Sequence, residues 1–143
     1  MKRNYEQCIK EKRIKPIEKI DERSAEIIKL VKHKLEFWKK VMNIAEDYPT
    51  ILIEAHYELI KELLTALVNQ DGFKSETHDC LFYYVEEKYK DLELDFDFLH
   101  ELRRTRNEID YRGIKLPKDA WKGLNLKINL TINYLIDYLE KTR

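Results

Sequence analysis

Apolar residues recur at intervals of three and four along most of the chain, the spacing of one face of an α-helix. Ile27, Val31, Leu35, Trp38, Met42 and Ala45 define a first long helix over about residues 22–47, with Ser24 as a candidate cap. At 1.5 Å per residue it would run about 39 Å, the full height of a bundle. The "DYPT" break follows, and Pro49 disfavours helical geometry at Tyr48 while suiting the first turn of a new helix. The next helix, about residues 50–69, is the most apolar. Its stripe of Leu52, Ala55, Leu59, Leu63, Ala66 and Leu67 is widened by Ile60, Leu64 and Val68, which makes it the expected centre of the fold. Gly72 offers a left-handed stop. Ser75 or Thr77 caps a third helix reaching about residue 89, with Leu81, Tyr84, Val85 and Lys88 on one stripe. A fourth spans about residues 95–111 and ends at Gly113. Pro117 starts a fifth, carrying Trp121, Leu124, Ile128, Thr131, Leu135 and Leu139. The expected fold is all-α, a four- to five-helix up-and-down bundle with short loops.

Composition supports that reading. The 143 residues suit one domain, and three glycines with three prolines are too few for a sheet protein, which needs turns every 8–12 residues or so. Residues 22–143 read as one helical domain, preceded by a polar arm over residues 1–21. Charged residues make up 38% of the chain, as expected of long helices with solvated outer faces. Lys plus Arg equals Asp plus Glu at 27 each, so no global imbalance points to nucleic acid or membrane. Locally, residues 1–20 hold seven Lys/Arg against three Glu, which reads as a solvated basic terminus. No segment approaches the roughly 18 apolar residues of a membrane span, and no apolar leader opens the chain, so the expected setting is cytoplasmic. Cys8 and Cys80 lack partners at metal-site spacing, do not make a disulfide framework, and read as plain buried thiols.

Candidate chemistry is sparse. His33, His56, His78 and His100 lie about 22 residues apart, so no two share a helical turn and no metal is expected. There is no GxSxG elbow, phosphate-binding glycine loop or dinucleotide fingerprint, and no cofactor is expected. Thr77 and Asp79 read as a helix cap and a dipole complement. Glu93, Asp95 and Asp97 could bind a cation but suit a helix N-terminus better. One stretch stands apart: "LRRTRNEIDYRG", residues 102–113. Leu99, Leu102, Arg106 and Ile109 fall on one stripe, so a permanent charge sits on an apolar seam. Such a placement costs several kcal/mol unless the guanidinium is paired. Asp110 stands one turn on, and Asn107 can pair with Arg103 or with backbone. A structural Arg–Asp pair at a helix or subunit seam accounts for the pattern. So does a site presenting Arg103, Arg106, Asn107, Asp110 and Tyr111 to a phosphate, because arginine's fork binds phosphate bidentately. Spacing alone does not separate the two.

A resemblance adds to this. Residues 44–81, "IAEDYPTILIEAHYELIKELLTALVNQDGFKSETHDCL", are similar to the core of HEPN (higher eukaryotes and prokaryotes nucleotide-binding) domains, through Ala55, Tyr57, Ala66-Leu67, Gly72 and Thr77-His78-Asp79. "LRRTRNEIDY" resembles the arginine-bearing segment that follows in that superfamily. The resemblance covers about residues 22–140. It implies a helical bundle, commonly a homodimer, that binds nucleotide or RNA and often pairs with a nucleotidyltransferase in a toxin–antitoxin system. Nuclease members carry Arg, often Asn, then His four to six residues beyond the Arg. Arg106 and Asn107 match; Tyr111 stands where the histidine would be, and no histidine follows. The resemblance therefore implies Arg106 and Tyr111 as the catalytic pair of a metal-independent ribonuclease, with Tyr111 replacing the histidine. An imidazole near pKa 6.5 exchanges protons at neutral pH, whereas a phenol near 10 is a poor base there. Positions five apart also point about 140° from each other on a regular helix. These residues therefore favour a non-cleaving protein that binds nucleotide or RNA phosphate; the ribonuclease and a purely structural homodimer are the alternatives.

Overall fold

A computed structural model describes residues 4–18 and 22–142. The most apolar segment forms the axis of the fold. It is α3 (Pro49–Gln70), opened by the proline at its first turn and buried along Leu52, Ile53, Tyr57, Ile60, Leu63, Leu64 and Leu67. Against it pack α2 (Arg23–Ala45), α4 (His78–Lys88), α5 (Phe96–Arg112) and α6 (Ala120–Thr142). The all-α bundle expected from the periodicity is the observed fold.

Local chemistry sets most of the boundaries. Thr77 caps α4 through a 3.4 Å hydrogen bond from the Cys80 N–H. Asp95 caps α5, accepting from the Phe98 N–H at 3.0 Å. That cap, with the Lys127 ion pair at 3.2 Å, accounts for Asp95 and holds its carboxyl below the usual range. Gly113 ends α5 at φ 61°, a conformation that favours glycine. Two expectations shift. Ser24 lies inside α2, buried and not capping, and the residue at the N-cap is Glu22. Pro117 does not open α6; it sits in the turn before it, where its carbonyl accepts from the Ala120 N–H at 3.0 Å.

The polar arm departs most from expectation. Its described part folds onto the bundle as α1 (Tyr5–Lys10) and β1 (Ile14–Pro16). Asn4 and Gln7 form a reciprocal capping box on α1. β1 pairs antiparallel with β2 (Phe73–Ser75), Ile14 facing Ser75 and Pro16 facing Phe73. Cys8 and Cys80 are not thiols but a disulfide, with 5.6 Å between their Cα atoms and both residues fully buried. The bridge ties α1 to the first turn of α4 across 72 residues of sequence. Residues 1–3 and 19–21 of the arm lie outside the described residues.

Among the described residues no helix is long and apolar enough to cross a membrane. His56 is buried between Trp38 and Trp121, with ring centroids at 5.7 and 4.7 Å. Its Nδ1 meets the Leu52 carbonyl oxygen at 2.8 Å, and burial lowers its pKa.

Candidate functional site

The arginine-rich helix α5 crosses α3 and faces the N-terminal turn of α4. Between α4 and α5 lies an open cleft of about 580 Å³, lined by Thr77, His78 and Asp79 from α4 and by Arg103, Arg106, Asn107, Asp110 and Tyr111 from α5. All five α5 residues singled out in the sequence therefore share one surface. Helical spacing explains it, because positions 103, 106, 107 and 110 follow one another at three- and four-residue steps.

Arg106 is held on three sides. Its Nη1 donates to Asp110 Oδ2 at 2.7 Å, its Nη2 donates to Glu58 Oε1 at 3.3 Å, and its guanidinium lies 5.7 Å from the centre of the Tyr57 ring. Its side chain is only 20% exposed. The charge on the seam is thus paired within α5 and across to α3, as a structural role requires. Glu58 also takes Lys61 at 2.9 Å. Asp110 in turn hydrogen-bonds the Glu54 carboxyl and raises its pKa, burial adding to the shift.

Arg103 differs. Among the described residues none forms an ion pair or hydrogen bond with its side chain; its Nε is buried without a partner, as is the Nε of Arg106. Neither of the partners that the spacing allows Asn107, Arg103 or a backbone group, is engaged by its amide among the described residues. Tyr111 is 81% exposed at the rim. α5 stays helical through Arg112, so no unwinding turns Tyr111 toward Arg106. The structure brings both into one cleft without bringing them together.

His78 was not among the site residues expected from the sequence. It follows the Thr77 cap, so it occupies the first position of α4 and lines the cleft. Its Nδ1 shares a 3.1 Å hydrogen bond with the Tyr57 hydroxyl. Burial lowers its pKa, helped by Lys61 and Arg106, so it is neutral at pH 7. Tyr57 is fully buried, and burial pushes its phenol far up, so it stays protonated. Its place at the start of α4 was legible from the Thr77 cap; that this turn faces α5 was not. The other histidines lie apart, His33 exposed on α2 and His100 with its Nε2 at hydrogen-bond distance, 3.2 Å, from Glu86 Oε2. Among the described residues no group of three or more His, Cys, Asp or Glu side chains is arranged to hold a metal.

No family model matches this chain, and neither a curated protein nor a solved structure matches it.

Proposed function

We propose that the α4–α5 cleft binds the phosphate of a nucleotide or of RNA, with Arg103 as the principal contact. One observation carries this reading. Arg103 places a guanidinium in a cleft with no carboxylate partner among the described residues; its Nε is buried and unmatched, as is that of Arg106, whose charge has Glu58 and Asp110. A buried donor left unpaired costs about 1–3 kcal/mol, so its retention favours a ligand that completes it. Arg106 supports the site as a strut between α3 and α5, its own charge already balanced by Glu58 and Asp110. Asn107 and the α4 N-terminus add uncharged donors.

This is the activity that the HEPN resemblance implies. A homodimer, a nucleotidyltransferase partner in a toxin–antitoxin pair and a cytoplasmic setting belong to the same proposal. Disulfides are uncommon in the cytoplasm, but exchange needs access to sulfur, and Cys8 and Cys80 are fully buried. Binding of a short RNA to wild type and to Arg103→Ala, at low and high salt, tests the reading. Arg103→Ala should bind about tenfold more weakly or worse, with a shallower salt dependence. Equal binding by the two proteins overturns the assignment.

A further inference from the structure

Among the described residues, His78 is the histidine that lines this cleft, and it is half-buried beside Arg103 and Arg106. We propose that His78 makes the cleft selective for a terminal phosphate (a phosphomonoester dianion) over an internal phosphodiester, by taking up a proton as the ligand binds. The inference rests on the cleft being a phosphate site and names which kind of phosphate it takes.

Charge matching between ligand and cleft produces the selectivity. An internal diester carries one negative charge, which Arg103 alone can meet, because Arg106 is balanced by Glu58 and Asp110. A terminal phosphate has a second pKa near 6 and so carries close to two charges at pH 7. The second charge needs another cation, and the remaining acidic side chain of the cleft, Asp79, repels it. His78 is placed to become that cation. The groups that face it are Tyr57, Glu58 and Lys61 from α3, Arg103 and Arg106 from α5, and Asp79 beside it on α4. In the empty cleft the positive neighbours and burial keep the imidazole neutral. A dianion between Arg103 and His78 reverses that balance and draws the proton on.

The Tyr57 hydrogen bond lets the charge change without moving the ring. A phenol donates to Nδ1 of a neutral imidazole and accepts from Nδ1–H of the protonated form. Either way Nδ1 is occupied and Nε2 is left for the ligand. No bond to phosphorus is made or broken; one proton moves from solvent to His78.

Titration calorimetry with adenosine 5′-monophosphate and with cyclic 3′,5′-adenosine monophosphate, a diester, tests this in two pH 7 buffers of different ionisation enthalpy. Wild type should bind the monoester several-fold more tightly and take up a proton with it, but none with the diester. Its affinity for the monoester should rise by up to about tenfold per pH unit between pH 7.5 and 6.5. His78→Gln should lose the proton uptake and the preference while still binding the diester. In wild type, the His78 ring-proton titration followed by nuclear magnetic resonance should move to higher pH when the monoester is bound, a readout that does not depend on the variant folding. Equal affinity for the two ligands without proton uptake overturns the role of His78 and leaves the phosphate site standing. Binding of neither ligand or of RNA overturns both.

Discussion

Arg106 raised the sharpest question in the sequence, and its contacts answer it with structure. Its guanidinium is bonded to Asp110 and Glu58 and lies over Tyr57, all less than about a third exposed. Removing it takes the ion-pair partner from Asp110 and one of two from Glu58, which keeps Lys61, so Arg106→Ala should lower stability by about 1–3 kcal/mol, measured by urea unfolding. Arg103→Ala, which breaks no ion pair, should leave unfolding almost unchanged. The histidines set a pH dependence. Burial lowers the pKa of His56, His78 and His100 below the unfolded value of 6.5, so the unfolded chain binds more protons as pH falls past that value. Stability contributed by these groups is full above pH 6.5 and is lost below it, down toward their folded pKa values. Urea midpoints should fall between pH 7.5 and 5, less steeply in His56→Asn. A midpoint that rises over this range contradicts the burial of His56. At this scale the sequence named Arg103, Arg106, Asn107, Asp110 and Tyr111 because helical spacing groups them. It did not separate Arg103 from Arg106, since the deciding partner, Glu58, is 48 residues away on α3. His78 was hidden for the same reason, its neighbours coming from two other helices.

The long helices were legible because each carries a full apolar stripe and a chemical stop: Pro49 before α3, Gly113 after α5, Thr77 before α4. The short elements were not. β1 and β2 have three residues each, too few for alternation to show, and they pair across more than fifty residues. α1 has six residues, and its only signal is the Asn4–Gln7 box inside a basic run. The disulfide is illegible for a similar reason, because nothing in the spacing of two cysteines tells which turns of chain meet. It makes the arm part of the fold. Cross-linking across 72 residues restricts the unfolded chain by about 4 kcal/mol in the chain-entropy account. The Cys8→Ser, Cys80→Ser double variant should be less stable by about 2–4 kcal/mol. Hydrogen exchange in it should rise first in residues 4–18 and in β2, before the core of α3. Uniform exchange across the molecule would contradict a locally latched arm.

At the scale of the whole molecule, two surfaces bear on the proposal. One is the cleft. The other is an edge of α2 where Leu30, Phe37 and Ile44 stand exposed at seven-residue intervals, followed by Ile51 on α3. Apolar side chains at this interval stay in line along a helix and suit packing against another. If the proposed homodimer forms here, Phe37→Glu should give a monomer in sedimentation while phosphate binding persists. A dimer that survives that change must use another face. The formal charge of the chain is zero, so long-range attraction to a polyanion is weak and recognition falls to the cleft itself. Binding should therefore show a salt slope of about one or two phosphate contacts, not the steep slope of a basic patch.

Arg103, and not the better-matched Arg106, is the arginine we propose to be held ready for a ligand. Titration calorimetry of adenosine 5′-monophosphate against wild type and Arg103→Ala, both shown to be equally folded by their urea midpoints, tests it most directly. The account predicts saturable binding by wild type and a loss of about tenfold or more in Arg103→Ala. Equal affinity in the two proteins, or no binding by wild type, would contradict it.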